Sequence, residues 1–206
     1  MGYIEQEKIV KEFVNFLRNS NILTTTVRGV TTATDNLTTG TTGSETFTLS
    51  ETGVKNIRSV TYDSTLLSFG KDYSIDVDNN QVTVFDVVPT KDIDVVFDYG
   101  TGDKIYPDYP RMDLSISNFP RIGFGVYGFN STVAGFGNVL RSNWRFDVRV
   151  YGTSAGQTDM YIDTIRQKAI DAQVSLYYCS YIFPMTATDL GYFDTEKGKN
   201  KIYVKG

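Results

Sequence analysis

Between Tyr73 and Tyr99 the apolar residues of this chain fall on every second position. Tyr73, Ile75 and Val77 alternate with polar residues, Val82 and Val84 follow, and Ile93, Val95, Phe97 and Tyr99 close the run. A strand sends successive side chains to opposite faces, so this period buries one face and wets the other. Asp78-Asn79-Asn80 and Val88-Pro89-Thr90-Lys91 separate the runs. Asparagine tolerates positive φ and proline presets a turn, so both segments read as reversals. With Phe47 and Leu49 upstream, residues 45–100 read as a compact all-β, sandwich-like unit of short strands.

The flanks follow other periods. In residues 3–19, Ile9, Val10, Phe13, Phe16 and Leu17 recur at helical spacing. The polar side of that helix mixes Lys8, Lys11, Glu12 and Arg18. A membrane-surface helix wants a strongly basic side, so the apolar stripe is expected to pack on a core. Residues 24–44 are rich in threonine and poor in large apolar side chains. They bury too little to fold alone and read as a linker, although β-branching allows short strands. Downstream, residues 122–127 read as a strand and 129–138 as a glycine-containing loop. Residues 143–151 form a strand with Trp144, Phe146, Val148 and Val150 on one face. Residues 158–173 form a helix with Ile162, Ile165, Ala169 and Ala172 in one stripe, and 176–183, 190–193 and 201–204 read as strands. The expected fold is α+β. A mixed or antiparallel sheet, flanked by helices of the N- and C-terminal halves, comes from residues 1–44 and 101–206, and the β unit at 45–100 is inserted.

The composition removes much chemistry. The chain has no histidine and a single cysteine. Triads built on imidazole, histidine-bearing zinc sites and cysteine-rich clusters are therefore excluded. Cys179 lies in an apolar, aromatic run and reads as a buried thiol. Gly123 to Gly128 fits the spacing G-x-G-x-x-G, but inside an alternating strand with no helix opening after it, so no dinucleotide site is expected. Asp76 to Asn80 starts like a calcium loop, yet Gln81 and Val87 stand where glycine and glutamate are needed. Asp92, Asp94 and Asp98 share the polar face of one strand. They read as a solvated, edge-guarding face rather than a hydrolytic carboxylate pair. No catalytic residue, metal or cofactor is expected, and the chain does not read as an enzyme. Net charge is −4 with no basic block, which disfavours sequence-specific nucleic-acid binding while leaving an acidic wall past which DNA slides. No apolar run reaches the roughly 18 residues of a membrane span, and the first residues do not resemble a secretion signal, so a cytoplasmic origin is expected.

Two sets of segments carry a resemblance. Val60-Thr61-Tyr62, residues 66–70, Lys71-Asp72-Tyr73-Ser74-Ile75, Val82-Thr83-Val84, Pro89 and residues 93–100 resemble a β module that recurs in virion proteins. The helix at 9–17, Phe119-Pro120-Arg121-Ile122, the strand at 144–150, the acidic helix at 158–172 and the closing strands at 190–204 occur in the order of the tail-terminator (tail-completion) family of tailed viruses. This resemblance implies a hexameric ring of identical subunits that caps the tail tube at its head-proximal end. The ring would dock to the head–tail connector or stopper and let DNA pass through its bore. The protein would be assembled in the host cytoplasm and reside in the virion, with no membrane partner. Arg111, Arg121, Arg145, Arg149, Lys201 and Tyr203 are the candidate subunit-interface residues, since arginine is enriched at interfaces; solubility is the alternative reading of the arginines. The edge at 201–204 and the Thr-rich segment are expected to pair across subunits. Deleting 24–44 is accordingly expected to weaken assembly more than the fold. Two other readings stand beside this one: another neck or tail component, and a carbohydrate-binding adhesion module built on 45–100.

Overall fold

A computed structural model describes residues 6–107, 119–133, 140–172, 176–178, 187, 189–194 and 201–205. In chain order the elements are α1 (Gln6–Asn19), α2 (Thr25–Arg28), β1 (Thr31–Thr38), β2 (Gly43–Thr48), β3 (Val54–Tyr62), β4 (Thr65–Leu66), β5 (Tyr73–Asp76), β6 (Gln81–Val87) and β7 (Asp92–Tyr99). They continue with β8 (Ile105–Tyr106), β9 (Arg121–Val133), β10 (Leu140–Gly152), α3 (Ala155–Asp171), β11 (Asp189–Asp194) and β12 (Lys201–Lys205). The fold is α+β, with sheets antiparallel except where β8 runs parallel to β9.

Two cores organise it. The first joins Phe13, Val14 and Leu17 of α1 to Ile105, Ile122, Phe124 and Val150 of the sheet β11-β12-β10-β9-β8, and to Ile162 and Ile165 of α3. The 3.6-residue spacing in both helices places these side chains on one stripe. Ser154 caps α3 by accepting from the Gln157 N–H, which satisfies a donor the helix leaves open. The second core lies between sheets β1-β7-β3-β4 and β2-β6-β5. Its centre is Ile57, Val60, Val82, Val84, Ile93, Val95 and Phe97. The reversals fall where asparagine and proline stand: Asn80 has φ 54° and Thr90 has φ 65°.

Four expectations change. The Thr-rich segment is not a linker, because residues 31–38 form β1 and pair along their whole length with β7, from Thr31↔Tyr99 to Thr38↔Asp92. Only Ala33 and Leu37 pack on the core, and an edge strand needs no more; threonine suits the rest of such a strand. Removing 24–44 therefore takes away a sheet strand, and the expectation that this deletion weakens assembly more than the fold is withdrawn. The supposed loop after 128 continues as strand to Val133, held by pairing with β10. The strand at 201–204 is an edge only in part: β12 lies between β11 and β10, with Tyr203 and Val204 paired to β10, whereas Lys201 and Ile202 pair only with β11 among the described residues. The segment 176–178 is a bend rather than strand, while 179–186, Cys179 and the turn at 196–200 lie outside the described residues.

The cores meet over a close backbone crossing. The Gly100 N–H donates to Gly53 O at 3.0 Å, and a Cβ on Gly53 (φ 71°) would stand 2.8 Å from Gly100 O. Gly29, also left-handed at φ 75°, closes α2 with open space around it. Gly29→Ala is expected to cost only the left-handed strain, about 1–2 kcal/mol. Gly53→Ala adds a backbone collision worth about 1–3 kcal/mol more. Urea midpoints of the two variants test this, and equal losses would remove the crossing as a constraint.

Candidate functional site

A buried charged cluster joins the two cores. Arg28 sits at the end of α2, a single turn capped by the Thr24 side chain. Its side chain is 0% exposed. Nη1 donates to Asp98 Oδ2 at 2.8 Å, Nη2 to Asn56 Oδ1 at 2.7 Å and Nε to Asp103 Oδ1 at 3.1 Å. Asp98 also accepts from Arg58 Nε at 2.6 Å and Thr32 Oγ1 at 2.7 Å. Arg18, from the last turn of α1, reaches Asp103 at 2.7 Å and donates to Lys55 O and Ile105 O. Asn19 donates to Ile57 O and accepts from Asn56. A planar guanidinium with forked donors is the side chain able to hold three partners at once. The cluster fixes how α1, β1, β3, β7 and the chain at 103 sit relative to one another. Asp98, expected on a solvated face, is thus buried; Asp92 and Asp94 are exposed as expected.

A second tie runs through Glu12, 3% exposed on α1, whose carboxylate accepts from the backbone N–H groups of Tyr177 and Tyr178. The two tyrosine rings lie against Gly70 of the β unit. The two buried carboxylates respond to pH with opposite sign. Burial raises the Asp98 pKa, but the hydrogen bonds from Arg58 and Thr32 and the charges of Arg58 and Arg28 outweigh it, so the group titrates below the ordinary 3.8. Its contribution is present above 3.8 and is lost as the pH falls through its lowered value. Burial pushes Glu12 above the ordinary 4.5, only partly offset by its two N–H donors. Its contribution is full below 4.5 and is lost as the pH rises through its raised value. Asp98→Asn is expected to remove the acid-side loss and Glu12→Gln to flatten the decline above 4.5. Urea midpoints over a pH series check both, and unchanged profiles would contradict them.

Two strand edges lie at the limits of the described sheets. The first belongs to a ribbon. Among the described residues, β9 beyond Gly123 pairs with β10 alone, and β10 before Val150 pairs with β9 alone. The described core ends at Val126 and Phe146, next to a bulge at Arg145/Phe146. Pairing then continues from Arg145↔Gly128 to Leu140↔Val133, a reach of roughly 20 Å at about 3.3 Å per residue. The second is β1, which pairs on one side only among the described residues and has no buried residue. Beside it Asn36, Thr38, Asp63, Ser64, Asp92 and Asp94 line an open hollow of about 410 Å³.

The candidate interface residues are dispersed. Arg111 lies outside the described residues. Arg121 is buried at 8% exposure, its guanidinium 5.7 Å from the centroid of the Phe119 ring, so it is not on a free surface. Arg145 is exposed on β10, and Arg149 pairs with Asp147 at 2.9 Å. Lys201 and Tyr203 belong to β12, where Lys201 pairs with Asp194 of β11 and Tyr203 with Tyr192 of β11 and Gly152 of β10. Sequence reasoning missed Arg28. Its signal is a lone arginine between a capping threonine and a glycine, inside a run otherwise without long side chains. Among the described residues no three metal-ligating side chains converge, and no helix is long and apolar enough to cross a membrane. Compared with known proteins, the chain matches no family model, no curated protein and no solved structure.

Proposed function

We propose that this chain is a tail-terminator subunit of a tailed virus, a binding protein that closes into a hexameric ring on the tail tube. The observation that carries the reading is the β9–β10 ribbon, which extends beyond the other strands of its sheet, while the edge strand β1 pairs on one side only among the described residues. A two-stranded ribbon alone in water is marginal, and open edges invite further strands. Distinct projecting and receiving surfaces on one chain suit head-to-tail contacts, which close into a ring when the rotation allows. In this reading residues 31–99 are a sandwich-like module inserted into a terminator core. The ring stops tube growth, meets the connector or stopper on its other face, and passes DNA through its bore within the virion.

A sugar-binding module draws less support, because Tyr73 and Phe97, which would serve as its stacking platforms, are buried. The test is the native mass of the purified chain by light scattering over a concentration series, with and without tail tubes of the same virion. A closed particle near six times the 23.1 kDa chain mass is expected. A chain that stays monomeric in both conditions overturns the proposal.

A further inference from the structure

We infer that the contact between neighbouring copies is the edge of β10 in the ribbon of one copy, laid along the edge of β1 on the next, both edges being unpaired among the described residues. The inference rests on the ring reading above and names the surface that makes the ring. Three observations carry it.

The first is main-chain supply and demand. β1 is eight residues long, longer than the edge strands β2, β4, β5, β8 and β11. It has none of the usual guards against a further strand: no lysine, no proline and no bulge. Its one acid, Asp35, is drawn onto Ser50, whose N–H and hydroxyl donate to it at 2.7 and 2.5 Å. The second is length. The free run of β10, residues 140–149, is at least as long as β1. The third is charge. β1 and β7 together hold four aspartates and no basic residue; of these Asp92 and Asp94 are exposed. The run of β10 that makes the contact, residues 140–149, holds three arginines (Arg141, Arg145 and Arg149) and one acid, Asp147, and Arg145 is exposed. The positive surface and the negative one lie on different parts of the same chain, so the copy that fits is another of its kind, joined head to tail.

The experiment is a charge exchange on the full-length chain. Asp92→Lys with Asp94→Lys is expected to weaken ring formation at least tenfold, as is Arg141→Glu with Arg145→Glu. A chain carrying all four changes is expected to regain the ring. Circular dichroism melts check folding, and the single changes Asp94→Asn and Arg145→Gln replace a reversal that unfolds, each with at least a threefold loss expected. If both reversals form rings as the unaltered chain does, this contact is wrong while the ring reading stands. If the four-change chain stays as weak as either pair, the contact is likewise wrong. If the unaltered chain never forms a ring, with or without tail tubes, both fall.

Discussion

Arg28→Met is expected to lower the stability of the chain by about 3–5 kcal/mol, the usual loss when one partner of a buried ion pair is removed. The magnitude follows from what the change strands. Asp98 stays buried with Arg58 and Thr32 alone, Asn56 Oδ1 loses its guanidinium donor, and Asp103 keeps Arg18. For a chain of this size the melting temperature should fall by roughly 2–4 °C for each kcal/mol. Arg28→Lys should recover little, because a single ammonium cannot span three acceptors placed for a fork. Adding Asp98→Asn to Arg28→Met should cost less than the sum of the separate losses, since both act on one cluster. Calorimetry of the four variants decides it. A loss below about 1 kcal/mol, the value of an exposed pair, would mean that water reaches the cluster.

Phe124→Ala is expected to cost a similar amount, about 3–5 kcal/mol, by a different route. Phe124 is fully buried at the root of the ribbon, with ring centroids 4.6 Å from Phe13 and 5.2 Å from Phe146. Its removal leaves a cavity where α1, β9 and β10 meet, and close-packed neighbours fill such a space only in part. Phe124→Leu keeps most of the volume and should lose less than half as much. Denaturant midpoints compare the two, and equal losses would show that the aromatic stack, rather than volume, holds the site. Since the ribbon springs from this packing, Phe124→Ala should also weaken ring formation more than its stability loss alone explains.

The strands with a buried face were legible in the sequence. Val82, Val84, Ile93, Val95 and Phe97 are all buried, as their alternation required, and so are Ile162, Ile165 and Ala169 in the stripe of α3. Burial on one side imposes a period, and a period can be read. β1 left a weaker trace because an edge strand packs only Ala33 and Leu37. The outer half of β9 left almost none, because Gly128 and Asn130 read as a loop and its pairing with β10 is a property of the partner strand. Whether β12 is an edge or an interior strand is a property of its neighbours, not of its own residues. The pairing of Arg28 with Asp98 spans 70 positions. No local pattern marks such a partner, so the aspartate was assigned to solvent with Asp92 and Asp94. Of the candidate interface, Arg145 alone was both foreseen and found exposed with its side chain described.

The order of sheet β1-β7-β3-β4 has a consequence for the growing chain. β7, which lies between β1 and β3, is the last of the four to leave the ribosome. Until β7 emerges, β1 has no partner, β3 has only the two-residue β4, and Arg28 waits for a carboxylate 70 residues behind it. The sheet is therefore closed from within, by a strand sliding into a reserved gap, rather than extended from one side. Long-range pairing of this kind is slow and exposes bare strands while it is incomplete. On crowded polysomes, where many copies are being translated side by side, the gap in one nascent chain is open to the β7 of its neighbour as well as to its own. Swapped dimers formed this way would be the characteristic misfolded product of overexpression.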